Sequence, residues 1–341
     1  MDTEATTPID TTDRSHSDPV SGHTGMVKRS PTVPQPSSTA RLTRLVAAIL
    51  GVVAGGMLMA WGMVGCGATG SPNTSGSEAL GGPFTSSSAA SLDSSNLRAA
   101  FNGDPVQLRY EVLNEIPADP TSFTQGLEFT PDGRLFESTG LYGSSALRQL
   151  DPDTGATVDE VAVDPTWFAE GITLVDDDGT DLIAMLTWRE GVVAFYDPDT
   201  LTERRRATYS GEGWGLCQLD DGTLVMSNGT PDLTLRDPAT FAVNERVTVT
   251  RSGTDLSGLN ELECVGDLVW ANVFRTDQIV VIDPVTGNVL AELDASGLRT
   301  AMADPTANVL NGIALVPGTT DEFWLAGKYW PSIWVVRVQP A

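Results

Sequence analysis

The chain has 341 residues, 45 of them acidic and 20 basic, for a formal net charge of −25. A surface of that sign repels nucleic acid and anionic ligands. The only histidines are His16 and His23, so the folded part can hold neither a Ser-His-Asp nor a Cys-His catalytic group, nor a His-ligated zinc ion.

Residues 1–44 are rich in Thr, Ser, Pro and Asp and almost free of large apolar side chains. They cannot bury enough surface to offset ordering entropy, which predicts a disordered tail. Residues 45–65 carry no charge and are long enough to span a bilayer at about 20 residues. Arg41 and Arg44 precede them, which places the N-terminus inside and the rest outside. The span ends Met63-Val64-Gly65-Cys66. This resembles a bacterial lipobox, with Cys66 as the lipidated residue. An uncleaved signal anchor is the other reading. Both tether the folded part to the outer face of the cell membrane. Residues 66–105 are rich in Gly, Ser, Ala and Asn and read as a flexible linker. The folded domain is then 106–341.

Within it, five short apolar runs begin Gly126-Leu127, Gly171-Ile172, Gly215-Leu216, Glu261-Leu262 and Gly312-Ile313, with spacings of 45, 44, 46 and 51 residues. A period of roughly 40–50 residues is that of one four-stranded propeller blade. Each unit continues as a meander. The first runs from 124–129 through the turn Pro131-Asp132-Gly133 to 134–139, then 145–150, ending in Asp151-Pro152-Asp153-Thr154-Gly155. Matching turns recur at Asp197-Pro198, Asp237-Pro238 and Asp283-Pro284. The Asp-x-Asp pattern can suggest calcium. Its recurrence at one position favours turn chemistry, with Asp opening the turn and Pro setting φ. The last unit has strands only at 310–316, 322–327 and 333–338. The alternating segment 107–116 is the predicted fourth, closing the ring. The expected fold is therefore an all-β, five-bladed β-propeller.

Cys217 and Cys264 fall just after adjacent starts. We read them as buried small apolar groups, with a disulfide permitted outside the cell.

Innermost strands of a propeller face a shared axis. Gln125, Glu170, Trp214, Asn260 and Asn311 stand at or before the five starts, and four of them are polar. Water filling a structural channel would also favour polar residues there. Aromatic residues gather nearby: Phe123, Trp167, Phe168, Trp188, Trp214, Trp270, Phe274, Tyr329 and Trp330. Together they read as a small-molecule pocket, although Trp167 and Trp270 also suit core filling. Lys328 is the only lysine after residue 28 in a chain that otherwise uses Arg. This points to a compact cation that a guanidinium cannot replace.

These residues carry a resemblance. Phe123-Thr124-Gln125-Gly126-Leu127, Phe168-Ala169-Glu170-Gly171-Ile172, Gly211-Glu212-Gly213-Trp214-Gly215-Leu216, Leu259-Asn260-Glu261-Leu262-Glu263, Trp270-Ala271-Asn272-Val273 and Gly327-Lys328-Tyr329-Trp330-Pro331 resemble the plant and bacterial type of glutaminyl-peptide cyclotransferase. The resemblance spans about 106–338. That family is a five-bladed propeller that turns N-terminal glutamine of peptides and proteins into pyroglutamate and releases ammonia. It implies Glu170 as proton relay, with Asn260 and Lys328 orienting the amide and stabilising its oxygen. It also implies Gln125 as a substrate contact and Phe123, Phe168, Trp188 and Trp214 as pocket walls. Phe274 stands where a Trp is usual and keeps the wall without an indole donor. Trp330 is counted with the substrate-binding residues, and Glu263 and Asn311 as supporting ones. The implied enzyme needs no cofactor or metal, binds no nucleic acid and acts as a monomer. A non-catalytic extracytoplasmic propeller that binds peptides is the alternative; a metal-dependent hydrolase is weakened by the missing histidines.

Overall fold

The computed structural model describes residues 92–177 and 179–341. The tail 1–44, the apolar segment 45–65 and Cys66 lie outside the described residues. The described part of the expected linker is ordered. Helix α1 (Ser94–Ala100) starts at Asp93, whose carboxylate accepts the Asn96 backbone N–H at 2.8 Å. Leu97 is buried in the core, and Arg98 bridges Asp267 and Asp283 at 2.6 and 3.1 Å. A seven-residue helix is too short to persist alone. These long-range contacts hold it, so the folded unit begins before residue 106.

Strand β1 (Val106–Pro117) follows. Then come four-stranded antiparallel meanders. The first is β2 (Thr124–Phe129), β3 (Leu135–Thr139), β4 (Ala146–Leu150) and β5 (Thr157–Ala162). The second is β6 (Ala169–Asp176), β7 (Asp181–Thr187), β8 (Val192–Tyr196) and β9 (Glu203–Thr208). The third is β10 (Leu216–Gln218), β11 (Leu224–Met226), β12 (Asp232–Arg236) and β13 (Val243–Thr248). A short ribbon, β14 (Thr250–Arg251) with β15 (Thr254–Asp255), leads to β16 (Leu259–Val265), β17 (Leu268–Val273), β18 (Gln278–Ile282) and β19 (Val289–Asp294). Helix α2 (Ser296–Met302) precedes β20 (Leu310–Leu315), β21 (Glu322–Gly327) and β22 (Ser332–Pro340).

β1 pairs antiparallel with β22 from Leu108–Pro340 to Pro117–Ser332, with a bulge between Val112 and Asn114. It therefore supplies the fourth strand expected beside β20–β22. Its first three residues also pair in parallel with β19. The two neighbouring meanders thus merge into one eight-stranded sheet, β16-β17-β18-β19-β1-β22-β21-β20.

The turn reading of the Asp-Pro repeats holds. Asp151 Oδ1 accepts from the Asp153 and Thr154 N–H groups at 2.9 and 3.0 Å. Asp197 repeats this with Asp199 and Thr200 at 2.9 and 3.0 Å. In each, Oδ1 closes its own turn, and Asp197 Oδ2 also accepts from Arg204 at 2.6 Å.

The first strands pack in a closed cycle: β2 on β6, β6 on β10, β10 on β16, β16 on β20, and β20 on β2. Close approach explains the glycines that begin them. A Cβ on Gly171 would lie 2.7 Å from Gly215 Cα, and one on Gly215 would collide with the Asn260 carbonyl. The bare backbone lets the Gly171 N–H reach the Trp214 carbonyl at 2.7 Å. Cys217 on β10 and Cys264 on β16 are joined in a disulfide with Cα atoms 5.3 Å apart. This corrects the apolar reading of these two residues.

Candidate active site

The close packing of the first strands brings their starting residues together. Phe123, Gln125, Phe168, Glu170, Trp188, Trp214, Asn260, Phe274, Arg275 and Lys328 line one open cavity of about 360 Å³. That is large enough for a glutamine side chain and its amine. Gln125 comes with β2, Glu170 with β6, Asn260 with β16, and Lys328 directly follows β21. Nine of the ten residues expected to bind or react are therefore in one place.

The tenth is not. Trp330 is 2% exposed and packs in the core, its ring against Gly327. Its indole N–H donates to the Asn308 carbonyl at 2.9 Å. Tyr329, in a left-handed conformation at φ 60°, lies edge-on to Phe123 with centroids 5.2 Å apart. Trp167 and Trp270 also belong to the core, the latter 4.4 Å from Phe323.

The polar floor is braced by one amide chain. Asn260 Nδ2 donates to Asn311 Oδ1 at 2.6 Å. Asn311 Nδ2 donates to the Thr124 carbonyl at 2.9 Å and to Gln125 Oε1 at 3.1 Å. Asn311 thus orients both Gln125 and Asn260 from behind. The backbones are pinned as well: Ser138 Oγ donates to the Glu170 carbonyl and Ser227 Oγ to the Asn260 carbonyl, each at 2.6 Å.

The aromatic wall has an acidic brace that sequence reasoning passed over. Glu212 Oε2 accepts from both Trp188 Nε1 at 2.9 Å and Trp214 Nε1 at 3.1 Å. Its other oxygen accepts from Arg189 Nε at 3.0 Å, and the Arg189 guanidinium stacks 3.6 Å from the Trp188 ring. Glu190 accepts from the Tyr142 hydroxyl at 2.9 Å and the Phe168 N–H at 3.3 Å. Glu212 lies in the quoted Gly-Glu-Gly-Trp string, but nothing in that string shows that it reaches Trp188 as well. Arg275 was also missed.

Of the ionisable groups that line the cavity, Glu170 and Lys328 are the buried ones. Burial pushes the Glu170 carboxyl well above the usual carboxylate range; Lys328 opposes this, while Glu212 and Glu190 add to it. Burial also pulls Lys328 down to about 8, with Glu170 opposing. Lys328 Nζ sits 4.6 Å from the Phe123 ring centroid and 5.5 Å from that of Phe274. The two rings stabilise its charge in place of water. A carboxyl with a raised pKa beside a desolvated ammonium has the character of a proton-exchanging pair. Among the described residues, no group of three or more His, Cys, Asp or Glu is placed to hold a metal ion.

Residues 85–338 match the family model described as glutamine cyclotransferase. A glutaminyl-peptide cyclotransferase of Arabidopsis thaliana is 34% identical over 263 residues, 76% of this chain and 78% of that protein. The crystal structure of Myxococcus xanthus glutaminyl cyclase superposes with a TM-score of 0.63 at 37% identity. That match covers 70% of this chain and all of the other.

Proposed function

We propose a mechanism for this chain from the premise that it belongs to the glutamine cyclotransferase family and cyclises N-terminal glutamine to pyroglutamate, releasing ammonia. The observation that carries the mechanism is the convergence of Glu170, Asn260 and Lys328 on one aromatic cavity.

The substrate's α-amine attacks its own side-chain amide carbon. A C–N bond forms, the carbonyl becomes a tetrahedral oxyanion, and the amide nitrogen leaves. Glu170 takes the proton that the amine sheds and returns it to the departing nitrogen, which leaves as ammonia. A carboxyl raised by burial is a stronger base than an exposed one and still returns its proton. General acid–base transfer of this kind contributes ~10²–10⁴-fold. Lys328 and Asn260 donate to the oxygen as its charge develops, in a site where few waters compete. Gln125, held by Asn311, fixes the substrate's amine end. The aromatic walls fold the side chain back on itself, and positioning of this kind is worth up to ~7–11 kcal/mol in the best cases.

No step calls for a metal ion, and the donor chemistry supports a metal-independent route: the folded part has no histidine, and both of its cysteines are in the disulfide. We read the fold as a five-bladed propeller closed by β1. Support comes from the three separate four-stranded sheets, the larger sheet divided at β1, and the cycle of first strands. We also propose that residues 45–66 tether the domain to the outer face of the membrane. The disulfide suits that oxidising side.

The test is to incubate the chain with a Gln-initiated peptide amide, with and without exhaustive chelation. Ammonia release and pyroglutamate in both supports the mechanism. Loss on chelation with rescue by one cation, at unchanged stability, rejects its metal-free form.

A further inference from the structure

The cavity mouth carries a cation that the cyclisation does not use. Arg275 lines the opening beside Phe274 and is exposed. Its guanidinium lies 5.2 Å from the Phe274 ring centroid, so it continues the aromatic wall outward. Its Cα sits in the turn between β17 and β18, at φ 64°. The Thr276 N–H and hydroxyl both donate to the Val273 carbonyl there, at 3.1 and 2.6 Å. A left-handed non-glycine residue is uncommon, and this closed turn fixes where the side chain leaves the backbone.

Most arginines among the described residues are held by carboxylates, including Arg189, which stacks on the cavity-lining Trp188. Arg275 has no carboxylate partner among the described residues. Its donors are free for a ligand in a protein whose net charge of −25 otherwise repels anions.

Substrate geometry supplies the ligand. The amine and amide of the N-terminal glutamine must both reach Glu170, Asn260 and Lys328 at the floor. The next residue then leaves through the mouth, about 3.3–3.6 Å further along the chain. We propose that Arg275 is a specificity-determining residue: it receives a carboxylate carried by the substrate's second residue, either an acidic side chain or the free α-carboxylate of a dipeptide. The planar guanidinium fork matches a carboxylate with two parallel donors. This inference rests on the cavity being the cyclisation site.

The experiment compares kcat/KM at low salt for Gln-Glu-amide, Gln-Ala with a free carboxylate, Gln-Ala-amide and Gln-Lys-amide. The carboxylate-bearing peptides are expected to exceed Gln-Ala-amide by about 3–10-fold, a preference that shrinks in high salt. A gain confined to one of them identifies which carboxylate Arg275 takes. Arg275→Gln should bring the ratio to one or below, and Arg275→Lys should keep part of it. Arg275→Gly also removes the charge and suits the left-handed backbone, so a loss shared by Gln and Gly reports charge and not misfolding. A ratio near one in the unaltered protein overturns the proposal, as does a ratio unchanged in Arg275→Gln. Failure to cyclise Gln-Ala-amide at all would instead remove the cyclisation reading itself, and this inference with it.

Discussion

Two sets of buried carboxyls line the first strands, and they differ in what they touch. In the cavity, Glu170 faces open space and the through-space charge of Lys328. Farther along the same strands, Glu261 accepts backbone N–H groups from Leu127 at 3.3 Å and Ile313 at 2.9 Å. Glu263 accepts from the Leu315 N–H at 3.2 Å, and Glu128 lies close enough to raise the pKa of both. Burial pushes all four carboxyls upward. A raised carboxyl is therefore not a mark of catalysis by itself. Glu261 and Glu263 are occupied in cross-linking β16 to β2 and β20, a structural task, while Glu170 lines the cavity and is the one proposed to relay the proton. Glu137, another buried acid, accepts from Ser122 and Thr124 hydroxyls at 2.6 and 2.7 Å and belongs with the structural set.

The largest expected effect follows directly. Glu170→Gln keeps size and polarity but carries no proton, so kcat should fall by ~10²–10⁴ with KM nearly unchanged in a protein that still folds. Glu263→Gln should show the reverse pattern, with kcat within about threefold and an altered stability, as for a residue that only supports structure. Retention of more than about a tenth of the activity by Glu170→Gln would erase the distinction between the two sets.

A second test uses pH. Lys328 loses its proton near 8, and the stabilising cation goes with it, so kcat/KM should decline above about pH 8. On the acid side, Glu170 must be ionised to accept a proton, and its raised pKa moves that limb well above the ordinary carboxylate range. Lys328→Arg stays charged throughout, so the alkaline limb should vanish while the rate at neutral pH drops about tenfold or more, because a planar fork does not replace a point cation. An alkaline limb that survives in Lys328→Arg would assign it to another group.

A third test concerns the wall. Glu212→Gln removes the charge that holds the Trp188 and Trp214 indoles and Arg189 together. KM should rise by about 3–10-fold, the cost of weakening hydrogen bonds to a charged acceptor. Because Glu212 helps to raise Glu170, the acid limb should also move to lower pH. A merely structural role would leave that limb in place.

Much of this arrangement was legible in the sequence because its signals are local. A glycine at four of the five first-strand starts and an Asp-Pro turn in four of the units are read from neighbouring residues, so the repeat and nine of the cavity residues could be placed. What was missed depends on partners far along the chain. The disulfide joins residues 47 apart, and α1 is held by Asp267 and Asp283. Glu212 acquires its role only when Trp188 folds over it. Trp330 was misassigned for a different reason. It follows Lys328 by two residues, but Tyr329 adopts a left-handed backbone between them, and the indole goes to the core.

The smallest effect tests the structural carboxyls. Burial raises Glu263 well above its unfolded value and Glu128 to about 8. Above the unfolded carboxylate pKa, the folded state therefore keeps protons that the unfolded chain has released. Stability is fully present below the unfolded carboxylate pKa and is lost as pH rises through the folded values. The melting temperature should accordingly decline between about pH 5 and 8. Glu263→Gln cannot ionise, yet its side-chain carbonyl still accepts the Leu315 N–H. It also removes the repulsion with Glu128 and Glu261. The decline should be shallower in the variant, with the two proteins nearly equal near pH 5 and the variant more stable at pH 8. At this domain size about 1 kcal/mol corresponds to a difference of about 2–4 °C. Parallel melting curves across that range would mean that the cluster does not titrate on unfolding, and that Glu170 alone behaves as a proton-exchanging acid.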